Sequence, residues 1–219
     1  MVSMLKGAIF DMDGILFDTE SIWQRNWEAM AKERGIDLPL QFRYDICGSA
    51  GEKLLNIVRK YYHTDEPEKI YEEVVLRGKK ELEKGTPVMK GVEEILSFFQ
   101  ENNVAIAVAS SSPYEQIQHN LESTGLRKYF SVLASGQQLK VSKPDPAIFL
   151  HAAKLLGLDA KECYVFEDAL NGIKAGYASG ACTIMIPDTM PPTEEMYSLC
   201  KGVYPSLFDA KEAIEKGEL

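Results

Sequence analysis

The stretch from Asp11 to Thr19, reading DMDGILFDT, limits what this chain can become more than any other part of it. Just ahead of it, Gly7, Ala8, Ile9 and Phe10 make a short apolar run, as in a strand buried on both faces. Asp11 and Asp13 stand at its end. Strand side chains alternate, so both carboxylates face one space while Met12 turns away. Gly14 tolerates backbone angles that other residues avoid, which lets the chain turn where a parallel sheet must release its strand. A single Asp followed by Gly is often only turn chemistry. Two same-side Asp residues, a Gly, then Asp18 and Thr19 form a longer pattern, and its place after a strand points to a reaction site.

The rest of the chain can be read outward from that strand. Helical spacing of Trp23, Trp27 and Met30 predicts a helix over Glu20 to Arg34, ended by Gly35, and two more helices fit Glu52 to Tyr62 and Pro67 to Lys84. A strand-free stretch of roughly 65 residues far exceeds an ordinary connection, so it is expected to be a small helical insertion. Alternation of strand and helix resumes at Gly91, with a helix carrying Val92, Ile95, Leu96 and Phe99 and a strand from Val104 to Ala109. Ser110, Ser111 and Ser112 follow. Ser112 is expected as a helix N-cap, with Pro113 at the first helical position and Glu115 completing a capping box. That helix ends near Gly125, and Val132 to Ala134 fit a third strand. Asp145 and Pro146 open a helix whose Ile148, Phe149, Ala152, Leu155 and Leu156 make an apolar face up to Gly157. A strand from Cys163 to Phe166 runs into Glu167 and Asp168. Gly172, Gly176 and Gly180 then recur every fourth residue, which suggests close helix-to-sheet contact. Cys182 to Ile186 fit a fifth strand, and the tail from Pro187 is weakly helical. The pattern is α/β: a parallel sheet with helices on both faces and an inserted helical part.

Composition narrows the function. A chain of 219 residues can bury a full core. Its 24 basic and 33 acidic residues leave a net charge of −9 with no Lys/Arg block, so no nucleic-acid polymer is expected as partner, and an anionic substrate would need local cations. Cys47, Cys163, Cys182 and Cys200 are far apart and form no CxxC pair, so they read as reduced thiols. No apolar stretch approaches a membrane span or a signal-peptide core. A soluble cytoplasmic monomer without a membrane partner is the expectation.

In an open parallel sheet, ligands bind outside the carboxyl ends of the strands, so carboxylates, hydroxyls and a lysine from four connections can share one site. Phosphoryl transfer needs a nucleophile, in-line geometry and neutralisation of phosphate oxygens. Asp11 suits attack on phosphorus to form an aspartyl-phosphate. Mg²⁺ would be held by the Asp11 side chain, the Asp13 backbone carbonyl and Asp168, with Glu167 beside it. Asp13 suits protonation of the leaving oxygen and later activation of water. Ser110 and the Ser111 backbone N–H would hold phosphate oxygens, and Lys143 would add fixed positive charge. Pro144 disfavours the helical conformation at Lys143, which defines where its ammonium can lie. Taken singly, each group has a plainer role: the serines as a helix cap, Lys143 as a solvated charge, Glu167 and Asp168 as a favourable helix start. His63, His119 and His151 have no metal-ligand spacing.

The ordered set resembles the haloacid dehalogenase superfamily of phosphohydrolases, in its β-phosphoglucomutase and phosphoglycolate phosphatase-like branch with a small helical cap. Its first motif is matched by Asp11, Asp13, Gly14 and Asp18, its second by Ser110, its third by Lys143 with Pro144, and its fourth by Glu167 and Asp168. The resemblance implies a Rossmann-like core of residues 1–17 and 88–219, a cap of residues 18–87 closing over the site, Mg²⁺ and an aspartyl-phosphate. The dehalogenase activity itself is disfavoured by Asp13, since hydrolysis of a carbon–halogen bond needs no acid there. Three functions stay open: hydrolysis of a small phosphorylated metabolite, a sugar-phosphate mutase of the β-phosphoglucomutase type, and a catalytically silent binding protein. Such mutases carry a cap histidine after the first motif and a cap arginine for the distal phosphate. By position, Trp23 stands where that histidine would be, and the loop Gly48, Ser49, Ala50, Gly51 has no arginine. Hydrolysis is therefore the preferred expectation.

Overall fold

Strand β1 (Gly7–Phe10) is buried along its whole length, and in the computed structural model it forms the centre of a parallel sheet. Residues 4–47, 49, 51–82 and 85–219 are described. After β1 come four consecutive helices, α1 (Thr19–Glu33), α2 (Leu40–Ile46), α3 (Gly51–Tyr62) and α4 (Pro67–Leu82). Alternation follows: α5 (Val92–Glu101), β2 (Ala105–Ser110), α6 (Tyr114–Ser123), β3 (Val132–Ser135), α7 (Ala147–Leu155), β4 (Cys163–Glu167), α8 (Leu170–Ser179) and β5 (Cys182–Met185). The chain closes with α9 (Glu194–Leu199), β6 (Gly202–Val203) and α10 (Leu207–Glu215). Glu83 and Lys84, the expected end of the helix from Pro67, lie outside the described residues, as do Gly48 and Ala50 of the loop before α3.

The six strands pair in the order β3-β2-β1-β4-β5-β6, all parallel. This is a Rossmann-like α/β sheet. β1 lies between β2 and β4, with Phe10 in register with Val108 on one side and Phe166 on the other. The strand order changes direction there, and the crevice at the carboxyl ends of such strands is where open sheets bind ligands.

Side-chain size differs between the two faces. One face carries Phe10, Ile106, Val108, Tyr164, Phe166 and Ile184 against residues of α5, α6 and α10, with Phe10 and Phe166 stacked at 4.5 Å between ring centroids. The other carries Ile9, Ala107, Ala109, Ala134 and Val165 against α7 and α8. Small strand residues let those helices come close. A Cβ added at Gly176 would sit 2.7 Å from Thr183 Oγ1, and one at Gly172 would sit 1.7 Å from Glu167 Oε1. Gly180 departs from the expectation of sheet contact: it caps the end of α8 in the left-handed region at φ 81°, with open space around its Cβ position. Leu155 also departs, being 50% exposed at the end of α7, where Ala153 takes the buried place beside Ala152.

The chain divides into two compact units, Met1–Phe17 with Pro87–Leu219, and Asp18–Thr86. The first contains the sheet. The second has a helical core of its own, built on Trp27, Met30, Phe42, Ile46, Val58, Tyr62, Ile70 and Val74. Trp27 meets Phe42 edge-on at 5.7 Å, and the Tyr62 hydroxyl donates to the Trp27 carbonyl at 2.6 Å. α2 and β6 have no counterpart in the sequence reading. They are seven and two residues long, too short for a periodic pattern, and each is stabilised by what it packs on: Phe42 and Ile46 join the helical core, and β6 pairs with β5.

Candidate active site

Asp11 directly follows β1, and its backbone N–H donates to the Phe166 carbonyl at 3.0 Å, which extends the β1–β4 ladder by one residue. The ladder brings Asp11 beside the end of β4, where Glu167 is the last strand residue and Asp168 the first beyond it. Ser110 ends β2 one strand away on the other side. Asp11, Asp13, Ser110, Ser111, Lys143 and Asp168 all line one cavity of about 350 Å³ in the sheet unit, together with Glu167. Ser142 and Asn171 line it too, and the sequence reading gave neither a role. They carry no motif, and only the fold of their connections brings them there.

Lys143 is the centre of the charge arrangement. Its Nζ donates to Asp11 Oδ1 at 2.5 Å and to Glu167 Oε1 at 2.6 Å, and it lies 5.1 Å from the centre of the Phe149 ring. The peptide bond that follows, Lys143–Pro144, is cis. Burial alone would lower the lysine's pKa, but the attraction of Asp11 and Glu167 outweighs it and holds the ammonium above its ordinary range. Glu167 is 1% exposed, and its second oxygen accepts from the backbone N–H groups of Asp168 and Ala169 at 3.0 and 3.1 Å. Both of its oxygens are thereby occupied. Gly172 provides the space for this carboxylate, since any Cβ there would overlap it. Gly14, at φ 79°, does the same for Asp168, whose Oδ2 would lie 2.6 Å from an added Cβ.

The carboxylates outnumber the cation. Burial raises the pKa of Asp11 above the ordinary carboxylate range; Lys143 opposes that rise, while Glu167 and Asp13 add to it. Asp168 is pushed well above its ordinary value by burial, then by Glu167, Asp11 and Asp188. Asp11, Glu167 and Asp168 each offer an oxygen within 4.8 Å of the others. Three carboxylates share one ammonium, and an all-oxygen set of this kind fits a hard divalent cation. With Glu167 committed to Lys143 and two backbone donors, Asp11 and Asp168 are the side chains suited to face such an ion.

The serine turn differs from expectation. Ser112 does not cap α6: the N-cap position is Pro113, with extended backbone at ψ 146° and no side-chain cap bond. The Ser112 hydroxyl instead donates to Asp13 Oδ2 at 3.4 Å, and its N–H donates to Ser110 Oγ at 3.1 Å. Ser110 thus accepts from the turn with its oxygen and keeps its own O–H as a donor. A tertiary partner has displaced the local cap.

A Rossmann-like sheet with this acidic strand-end site defines a class of hydrolases, and comparison with known proteins agrees. Residues 8–186 match the family described as haloacid dehalogenase-like hydrolase. The chain belongs to that family. It is 31% identical over 185 residues to hexitol phosphatase B of Escherichia coli (strain K12), covering 82% of each chain. It is 30% identical over 217 residues to the phosphorylated carbohydrates phosphatase of Thermotoga maritima, covering 97% of this chain and 92% of the relative. As an enzyme it stands with the phosphatases of the family. Among solved structures it resembles a β-phosphoglucomutase from Clostridium difficile, with a TM-score of 0.71 and 26% identity over 97% of this chain and 96% of the other. No helix among the described residues is long and apolar enough to cross a membrane.

Proposed function

We propose that this protein hydrolyses a small phosphate monoester, a sugar phosphate or similar metabolite, through a phosphorylated Asp11. The observation that carries the reading is the buried Lys143 held between Asp11 and Glu167, with Asp168 alongside and the Ser110–Ser111 turn lining the same cavity. Asp11 attacks phosphorus, and the ester P–O bond breaks with its electron pair on the leaving oxygen. Asp13 gives that oxygen a proton. Asp13 then takes a proton from water as the water oxygen attacks the phospho-aspartate, and the Asp11 carboxylate is released. The Ser110 hydroxyl and Ser111 N–H hold non-bridging oxygens, and Lys143 keeps Asp11 oriented and partly neutralised. Asp11, Asp168 and the Asp13 backbone carbonyl would hold Mg²⁺, which when bound screens the phosphate charge from the attacking carboxylate. Residues 18–87 act as a cap that reads the leaving group. A separate aromatic core in Asp18–Thr86 supports treating that part as its own domain. The four cysteines are free thiols, which suits a protein working in the reducing cytoplasm.

Hydrolysis is preferred to the mutase reaction that the C. difficile likeness raises. Trp23 packs its ring on Gly78, where a Cβ would lie 2.2 Å from Cζ3, and it lines a cavity of about 190 Å³ with Trp27 and Tyr71. An indole so placed offers a wall, and its ring N–H cannot exchange a proton with a sugar hydroxyl as an imidazole can. The test is a panel of phosphate monoesters with Mg²⁺ and with chelator, including β-glucose 1-phosphate with a trace of the 1,6-bisphosphate. Release of inorganic phosphate that needs Mg²⁺ and disappears in Asp11→Asn is expected. Near-normal hydrolysis by Asp11→Asn would refute the mechanism, and fast conversion to glucose 6-phosphate with little free phosphate would favour the mutase.

A further inference from the structure

Ser112 occupies a position that neither helix capping nor phosphate binding accounts for. Its hydroxyl donates to Asp13 Oδ2 at 3.4 Å across a sequence separation of 99 residues. Its backbone is tied on both sides: the N–H donates to Ser110 Oγ at 3.1 Å, and the carbonyl accepts from Ser135 Oγ at 2.7 Å. Ser135 is itself fixed. It is 1% exposed at the end of β3, in register with Ser110, and its oxygen accepts from the Gln137 N–H at 3.3 Å. A chain of hydrogen bonds therefore runs from the edge of the sheet through Ser112 to the carboxyl group of Asp13.

Asp13 sits in the turn beyond β1, and an acid that protonates one oxygen must present its carboxyl group in a single orientation. We infer that Ser112 is a positioning residue for Asp13: its hydroxyl, anchored through Ser135, holds the carboxyl group in the orientation from which it reaches the leaving oxygen. Ser112 acts through Asp13 and need not touch phosphorus. The inference rests on the acid role given to Asp13 above.

The leaving group provides the test. The ratio kcat/KM covers steps only through departure of the leaving group, and 4-nitrophenolate departs without a proton, whereas an alkoxide does not. The esters compared are 4-nitrophenyl phosphate and sorbitol 6-phosphate, or the alkyl ester of the panel that the wild-type enzyme turns over fastest. Ser112→Ala is expected to lower kcat/KM about tenfold for the alkyl ester and less than about threefold for the aryl ester. Ser112→Thr, which keeps a hydroxyl, should restore most of the loss, and Asp13→Asn should show the same split enlarged. Equal losses on both esters for Ser112→Ala, with the split present in Asp13→Asn, would overturn the positioning role and leave the acid role standing. No split in Asp13→Asn would overturn both.

Discussion

In the helical unit, Arg77 donates to both oxygens of Glu33 at 2.6 and 2.7 Å and to Glu73 at 2.6 Å; in the sheet unit, Lys143 is held between Asp11 and Glu167 at almost the same distances. The arrangements are alike around one cation and differ in burial and in charge balance, because Arg34 also donates to Glu73 at 3.2 Å. The Arg77, Glu33 and Glu73 side chains are 32%, 52% and 41% exposed, against 12%, 11% and 2% for Lys143, Asp11 and Glu167. At the surface, hydrogen bonds from Arg77, joined at Glu73 by one from Arg34, hold both glutamates below their ordinary pKa, and the cluster is solvated as well as paired. At the ends of β1 and β4, burial lifts Asp11 and Asp168 above theirs, and less water is left to absorb the excess negative charge. A charge-balanced cluster decorates one unit, and in the other Asp11, Glu167 and Asp168 form an acidic group of the kind suited to a further cation.

Removing the cation from each place tests the contrast most severely. Lys143→Met would leave Asp11 and Glu167 facing each other unpaired in the interior, a loss on the order of 3–5 kcal/mol, whereas Arg77→Met should cost less than about 1 kcal/mol. Thermal melting should fall on the order of 10 °C for the first and by only a few degrees for the second. Phosphatase activity should fall by about a thousandfold in Lys143→Met and stay close to wild type in Arg77→Met. Similar melting shifts in the two variants would contradict the role assigned to burial.

A smaller effect follows from the excess carboxylate. Asp168→Asn removes one of three acidic groups crowded around Lys143, so the protein without divalent ion should melt higher, by roughly 2–4 °C for each kcal/mol relieved. The wild-type protein should gain stability when Mg²⁺ is added, because a ligand of the native state stabilises it by mass action. Asp168→Asn should lose that gain together with most of its activity. If its melting temperature rises with Mg²⁺ as the wild type's does, Asp168 is not a ligand.

Legibility in the sequence followed the range of the interaction. β1, β2 and β4 were readable as continuous apolar runs because a strand buried on both faces needs no partner-specific pattern, and Asp11, Ser110 and Glu167 could be grouped because each ends such a run. Lys143 was readable only as a member of an ordered set; that Glu167 and Asp11 share it depends on register across β1 and β4. Ser112 shows the opposite outcome. Its local capping signal was strong, but Asp13 and Ser135, far away in sequence, took its hydroxyl and its carbonyl. The spacing of Gly172 and Gly176 foretold close contact with the sheet, yet not that the group pressed on Gly172 would be the Glu167 carboxylate.

The smallest expected effect concerns the surface triad alone, and it has a sign of its own. Glu33 and Glu73 have folded pKa values held below the ordinary 4.5 chiefly by Arg77, with Arg34 adding to it. The unfolded chain therefore binds more protons than the folded one in the interval between the two values, and stability rises with pH there. The contribution is complete above 4.5 and is lost as pH falls through the depressed values. Indole fluorescence reports it from the helical unit, because the chain's two tryptophans, Trp23 and Trp27, both lie there. Urea unfolding followed by indole fluorescence should show wild type slightly more stable than Arg77→Met at neutral pH, with the difference shrinking as the pH falls below 4.5. Added salt should shrink it as well, since the groups are exposed and screened over about 10 Å at 0.1 M ionic strength. A difference that persists unchanged at acid pH would mean that Arg77 stabilises α4 by packing its stem and not by its charge.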